Sequence, residues 1–270
     1  DRRFWFHPSF HPGETALCHK QGDNQWRVDF QLGWDIDAEQ EKRPERALPR
    51  IKAMLGDHPM DLTWVSIYTF QARRLAHLRH GRILFAGDAA HQVSPFGARG
   101  GNSGLQDADN LSWKLALVLQ GKAPDRLLDS YDVERGYAAD ENIRITSRTT
   151  NFLAPKTPVS RAFRDAVLQL AADFPFARAL VNSGRLSTAT IHADSPLSSE
   201  FNGFDGGVLP GGPCPNLPIA ADYASNRPIV FLLDFLCGGF HGFLFSRDEA
   251  YVSPATIASL LSLARSPFQV

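Results

Sequence analysis

From Trp26 onward the chain alternates. Trp26, Val28, Phe30, Leu32 and Trp34 are apolar, while Arg27, Asp29, Gln31 and Gly33 between them are polar or small. A period of two puts one set on each face of a β-strand. Thr15–Lys20 reads as the partner strand, because Gln21-Gly22-Asp23-Asn24 between the two runs is good turn chemistry. The opening Asp1-Arg2-Arg3-Phe4-Trp5-Phe6 reads as the middle of another strand. Residues 1–35 therefore predict antiparallel sheet, with Trp26, Phe30 and Trp34 in its core. Residues 37–58 are charged and helix-prone, ending near Gly56. Residues 62–72 are rich in β-branched and aromatic side chains and predict a further strand, with Trp64, Ser66, Tyr68 and Phe70 on one face.

Arg82-Ile-Leu-Phe-Ala86 is a short apolar run closed by Gly87-Asp88, as in a strand buried on both faces that opens into a loop. The loop is expected to run from Gly87 to Asn102, with a helix from about Ser103. Ser103 and Gln106 fit a capping box, and Asp107 suits the positive end of the helix dipole. Leu105, Ala108, Leu111, Leu115, Val118 and Leu119 recur at helical spacing, and Gly121 is a plausible stop. Further helices are predicted at about 125–150, 159–173 and 254–265. From about residue 184 glycines and prolines mix, including Gly203, Gly206, Gly207, Gly211 and Gly212, which reads as a connection. Residues 228–246 give two short strand-like runs around Cys237-Gly238-Gly239.

Length and composition narrow the class. At 270 residues the chain is one large or two ordinary domains, and 43% apolar with 21% charged residues suits a globular protein. The formal net charge of −1 argues against a dedicated nucleic-acid or anionic-membrane binder. There is no apolar run long enough for a membrane helix. Cys18, Cys214 and Cys237 are scattered, with no CxxC pair, so neither a disulfide framework nor a zinc site is indicated, and a reducing cytoplasm is expected. His7, His11 and His19 have no cysteine or carboxylate partner pattern for a metal. Asn110-Leu-Ser112 matches a glycosylation sequon but lies on a predicted helix.

Residues 81–110 carry the chemistry. A strand ends at Asp88, and glycines at 97, 100 and 101 let backbone approach a ligand closely before a helix N-terminus arrives. Asp88 can accept hydrogen bonds from ribose or ribityl hydroxyls, and ligands of open α/β folds sit at that end of the strands. The alternative is a glycine-rich connection with Asp88 as a turn residue. The segment is not a phosphate-binding P-loop, because no Gly-Lys-Ser/Thr follows, and Ser103 lacks the flanks of a nucleophile elbow.

Gly81-Arg82, four apolar residues, Gly87-Asp88-Ala-Ala-His91, Pro95 and Gly97-x-x-Gly100-x-Asn102 resemble the second flavin-binding motif of the class A flavoprotein aromatic hydroxylases. The extended form from Pro95 to Asp109 is similar to the 3-(3-hydroxyphenyl)propionate hydroxylase and phenol hydroxylase branch, and the match is densest over residues 64–150. The resemblance implies an α/β protein built from the family's antiparallel substrate-domain sheet (1–75), the remainder of its FAD domain with following helices (76–183), a linker (184–227) and the start of a thioredoxin-like domain (228–270). It implies FAD as cofactor, NADPH or NADH as reductant, a small aromatic substrate with O₂, and a possible homodimer. Gly87, Asp88, Gly97, Arg99, Gly100, Gly101, Asn102 and Ser103 would bind FAD, and the Pro95 carbonyl would orient a phenol hydroxyl. Tyr68, Gln71 and Arg73 would border the substrate, whereas His91 occupies a position the family uses structurally.

The family's strand–GxGxxG–helix unit for the ADP half of FAD is not found in these residues, and neither is its middle Asp-Gly motif; Gly203-Phe-Asp-Gly206-Gly207 lies in a proline-rich stretch without a preceding strand. The expectation is therefore part of an FAD-dependent monooxygenase, inactive alone. A flavoprotein of the same fold with different chemistry (an epoxidase or reductase) and a non-catalytic binding module stand as the alternatives.

Overall fold

The computed structural model describes residues 1–33, 35–181, 189–199, 208–220, 230–236, 239–243 and 252–264. In chain order the elements are β1 (Arg2–Phe6), β2 (Thr15–Lys20), β3 (Trp26–Phe30), α1 (Ala38–Glu41), α2 (Pro44–Leu55), β4 (Arg73–Arg74), β5 (Arg79–His80) and β6 (Ile83–Leu84). Then come β7 (His91–Gln92), α3 (Arg99–Leu119), α4 (Asp129–Leu153), α5 (Pro158–Ala171), α6 (Pro175–Val181), β8 (Pro218–Ala220), β9 (Val230–Phe231) and α7 (Pro254–Ala264). They form two compact units. One holds residues 1–74, 87–103 and 140–188, and the other 75–86, 104–139 and 189–270. Helices α3 and α4 give residues to both.

In the first unit β1, β2 and β3 form an antiparallel sheet in the order β1-β2-β3, with Cys18 opposite both Arg3 and Val28. The turn between β2 and β3 works through Asp23 and Asn24, both left-handed at φ 52° and 56°. Asp and Asn tolerate that region, and two successive positive φ values match the twist of a tight hairpin. The sheet buries Thr15, Ala16 and Cys18 from β2, the central strand. Trp26, expected in the core, is 48% exposed at the strand's start, and Trp34 lies outside the described residues. The strand stops at Phe30, so the alternating pattern outruns the ladder that it predicts.

Helix α2 ends as its sequence suggests: Gly56 takes φ 72° and returns its N–H to the Lys52 carbonyl. Residues 62–72 differ from expectation. They belong to none of the four described sheets, and Trp64 is 78% exposed. The alternation survives from Trp64 to Tyr68, with Val65 and Ile67 half-buried and Trp64, Ser66 and Tyr68 outward, but breaks at Phe70, which is half-buried rather than outward. The run keeps a pleated strand's two faces without a paired neighbour, because β-propensity favours such a surface and does not choose a partner.

In the second unit β5 and β6 make a minimal hairpin across Gly81, which has φ 60°. Ile83 is exposed, so the expectation of a strand buried on both faces is not met; that needs neighbours on each side, and among the described residues β6 pairs with β5 alone. Leu78, Leu117, Leu128, Tyr131, Ala138 and Ala139 form the apolar core here. Gly121, with φ 69°, closes α3, as the sequence predicts, by donating to the Val118 carbonyl. Just past the helix predicted at 159–173, Pro175 opens the short helix α6, a position where its missing N–H costs nothing. β8 pairs antiparallel with β9, so the stretch read as a connection contributes a strand. Gly203–Gly207 and Cys237-Gly238 lie outside the described residues.

Candidate functional site

The segment from Gly87 to Ser103 lies wholly in the first unit. Gly87 has φ 59° and opens a 3-10 turn over Gly87–Ala89, closed by the Ala90 N–H on the Gly87 carbonyl at 2.9 Å. The turn leaves Asp88 exposed, while Ala90 and His91 are buried. His91 sits on β7 opposite Arg74 of β4. Burial in a ladder suits the structural role the sequence assigns to it.

Ser94 is buried and Pro95 exposed. The Pro95 carbonyl, expected to orient a substrate hydroxyl, accepts the Ala98 N–H at 3.2 Å. A carbonyl has two lone pairs, so one remains for a second donor. Gly97 and Ala98 then take φ 94° and 52°, a left-handed pair that swings the chain into α3. Gly supplies that region freely, whereas Ala adopts it at a cost.

Helix α3 begins at Arg99, four residues before its expected start. Gly100 and Gly101 are therefore in its first turn, not in the loop, and Ser103 is inside the helix and buried, where it forms no capping box. Helix geometry leaves the N–H groups of Gly100 and Gly101 without an intrahelical acceptor, at the positive end of a 21-residue helix. A Cβ on Gly101 would meet nothing within 4 Å, and one on Gly100 would meet Val93 Cγ2 at 3.6 Å. The helix start is thus open to close approach by a flat ring. Asn102 is exposed and turns its amide back to donate to the Ala98 carbonyl at 2.7 Å. Arg99, expected to face the cofactor, is instead 7% exposed and donates from Nη1 to Asn142 Oδ1 at 2.5 Å.

Of the residues expected near a substrate, Tyr68 is 72% exposed and stacks on Phe70 with ring centroids 6.1 Å apart. Phe70 in turn meets Phe96 edge-on, also at 6.1 Å. This aromatic line reaches the loop next to Pro95. Gln71 is exposed, and Arg73 Nε donates to Gln92 Oε1 at 3.2 Å. Its neighbour Arg74 is held by Asp140 through two 2.7 Å contacts.

The donor set fits FAD. Open N–H groups at a helix start suit the carbonyl edge of a flavin pyrimidine ring and the negative charge of its reduced form. An exposed carboxylate after a strand suits ribityl hydroxyls. Residues 5–146, more than half of the chain, match the family described as FAD binding domain. The chain belongs to that family. It is 34% identical over 189 residues to a 3-(3-hydroxy-phenyl)propionate/3-hydroxycinnamic acid hydroxylase of Mycobacterium avium, covering 65% of this chain and 32% of that one. A probable NADH-specific resorcinol 4-hydroxylase of Rhodococcus jostii is 42% identical over 124 residues, covering 46% and 23%. Among solved structures, the anhydrotetracycline hydroxylase OxyS of Streptomyces rimosus aligns with a TM-score of 0.55 at 25% identity, covering 80% of this chain and 41% of that one. The chain spans about a quarter to a third of the length of those two curated relatives.

Sequence reasoning missed a set of buried polar residues in the second unit. Lys114 and Glu134, nearly inaccessible, lie 2.6 Å apart, and Asp107 and Arg135 form a second buried pair at 2.6 Å. Glu134 also receives hydrogen bonds from Ser195 and Asn110. Burial pushes its carboxyl up, but the bonds from Lys114, Ser195 and Asn110 outweigh this and hold it below the usual carboxylate range. Burial also lowers the Lys114 ammonium, which Glu134 partly restores. The buried Tyr131 phenol, pushed up by desolvation, donates to the Phe85 carbonyl at 2.7 Å. The available signal was Ser103, Asp107, Asn110 and Lys114 at three- and four-residue spacing, a polar helix face that is buried (half-buried at Asn110) while Leu105 and Leu119 of the predicted apolar stripe are exposed. Among the described residues no cluster of His, Cys, Asp and Glu could hold a metal, and no helix is long and apolar enough to cross a membrane.

Proposed function

We propose that this chain supplies the ring-binding part of the flavin site in an FAD-dependent monooxygenase that hydroxylates a phenolic aromatic compound. The single observation that carries the reading is the start of α3. There, helix geometry leaves the N–H groups of two first-turn glycines without intrahelical acceptors, with open space at Gly101, in the same segment that carries the exposed Asp88.

Bound FAD, reduced by NADH or NADPH, would supply the oxygen-activating chemistry. The chain's own residues bind and orient. Asp88 accepts the ribityl hydroxyls, with Gly87 allowing backbone to approach. The N–H groups of Gly100 and Gly101 take the pyrimidine carbonyls, and the dipole of α3 favours negative charge there. Gly97 shapes the turn into the helix. Asn102, bonded to the Ala98 carbonyl, and Ser103, buried behind it, fix the first turn. The second lone pair of the Pro95 carbonyl accepts the substrate hydroxyl and holds it towards the ring. Tyr68 and Phe70 supply aromatic surface beside Phe96, and the exposed Gln71 and Arg73 offer polar contacts to an anionic substrate. Arg99 serves from inside, through Asn142, rather than as a direct cofactor ligand. The aromatic hydroxylases among its relatives support this substrate class, and the NADH-specific one supports a nicotinamide reductant. The free thiols of Cys18 and Cys214 suit a reducing compartment such as the cytoplasm.

The test uses the full-length protein, loaded with FAD and supplied with NADH or NADPH and a panel of phenols and phenolic acids. Oxidation of the nicotinamide stimulated by a phenol, with a hydroxylated product, is the expected result. Flavin reduction without any hydroxylated product across the panel would overturn the hydroxylase reading in favour of a reductase.

A further inference from the structure

Within the first unit, α4 shows one unusual stripe. Asn142, Thr146 and Thr150 follow one another at four-residue spacing, so they lie on one face, and all three are buried, at 6%, 1% and 8% exposure. A face turned inward ordinarily carries apolar side chains. Polar groups in such a place must find partners.

Thr146 donates to the Asn142 carbonyl within the helix, whereas Asn142 and Thr150 find partners at the two ends of the segment 94–103. At its entrance, the hydroxyls of Thr150 and Ser94 are 2.7 Å apart. Thr150 Oγ1 is also 2.8 Å from the Thr146 carbonyl, and the Phe96 N–H points to Ser94 Oγ at 3.4 Å. Each hydroxyl has one proton to give. Thr150 Oγ1 shares its proton between Ser94 Oγ and the Thr146 carbonyl, and Ser94 Oγ accepts from both Thr150 and the Phe96 N–H. At the exit, Asn142 Oδ1 accepts from Arg99 Nη1, and Asn142 Nδ2 reaches Ser103 Oγ at 3.4 Å. Arg99 stands at the helix start, where the dipole disfavours a cation, and an acceptor there offsets that cost. Between these anchors lies Pro95–Ala98, including the left-handed Gly97 and Ala98.

We infer that Asn142 and Thr150 are positioning residues for the flavin ring: they pin both ends of the loop and so set where the N–H groups of Gly100 and Gly101 point. The inference rests on the flavin reading above. Neither side chain needs to touch the ring.

The experiment compares full-length wild-type protein with Thr150→Val, Thr150→Ser and Asn142→Leu. Two quantities are read: amide hydrogen exchange over residues 96–103 without flavin, and FAD affinity with the visible spectrum of the bound flavin. Thr150→Val keeps the shape and removes the hydroxyl, so roughly tenfold faster exchange confined to this segment and a comparable loss of FAD affinity are expected, since a buried hydrogen bond is worth about that factor. Thr150→Ser restores both, and Asn142→Leu repeats the effect at the helix start. Unchanged exchange over 96–103 in a folded Thr150→Val protein overturns the inference, as does faster exchange with FAD affinity and spectrum unaltered. Wild-type protein that takes up no FAD overturns instead the flavin reading beneath it, and the exchange data, collected without flavin, tell the two failures apart.

Discussion

Glu134 gathers three side-chain donors, from Lys114, Ser195 and Asn110, in a nearly inaccessible place. Removing one member of such a pair is costly, because the other charge stays buried; Glu134→Gln should destabilise the protein by about 3–5 kcal/mol at neutral pH. The pH dependence has a definite sign. The folded-state carboxyl titrates below its ordinary 4.5, so its stabilisation is complete above that value and is lost as pH falls through the lower folded value. Denaturant midpoints measured from pH 7 down to pH 3 should therefore fall less steeply in Glu134→Gln than in the wild type; parallel curves would show that Glu134 gains nothing from its partners. Little at this scale was legible beforehand. The family resemblance turns Arg99 towards the cofactor, but its guanidinium donates to Asn142, and no local pattern announces which way a long side chain turns. Asp88 could be picked out because strand, glycine and carboxylate are contiguous in the chain.

Elements that end on local chemistry were readable. Gly56 and Gly121 stop α2 and α3 where the sequence places them, and Asp23-Asn24 makes the hairpin turn. Elements that depend on distant partners were not. Residues 62–72 have a strand's composition yet join no described sheet, and β6 shrinks to Ile83–Leu84. The start of α3 shows the same conflict. Gly100-Gly101 reads as loop by propensity, yet the helix reaches back to Arg99, where contacts to α4 anchor it. That placement yields a discriminating variant. Gly101 has open space around it and is helical, so Gly101→Ala should stabilise the ligand-free protein by roughly 0.5–1 kcal/mol. If the helix start is where the flavin ring sits, the same methyl group should cut FAD affinity more than tenfold. Thermal unfolding without FAD and a flavin titration together separate the two effects; a stabilised variant with undiminished affinity would move the ring elsewhere.

At the scale of the whole molecule, two compact units share α3 and α4, and the proposed ring site falls in one of them. Membership of the FAD binding domain family, with aromatic hydroxylases among the relatives, bears out the family resemblance that residues 81–110 carry. The motif was specific enough to carry the family because its glycines and its carboxylate are contiguous in the chain and can be read without knowing distant partners. The most direct check is a titration of full-length, flavin-stripped protein with FAD, followed by flavin absorbance, in the wild type and in Asp88→Ala. The wild type should take up a stoichiometric complement of FAD. The variant should bind at least tenfold more weakly, a loss of about 1.4 kcal/mol. A folded Asp88→Ala protein that keeps tightly bound, stoichiometric FAD would contradict the assignment of the flavin to this site.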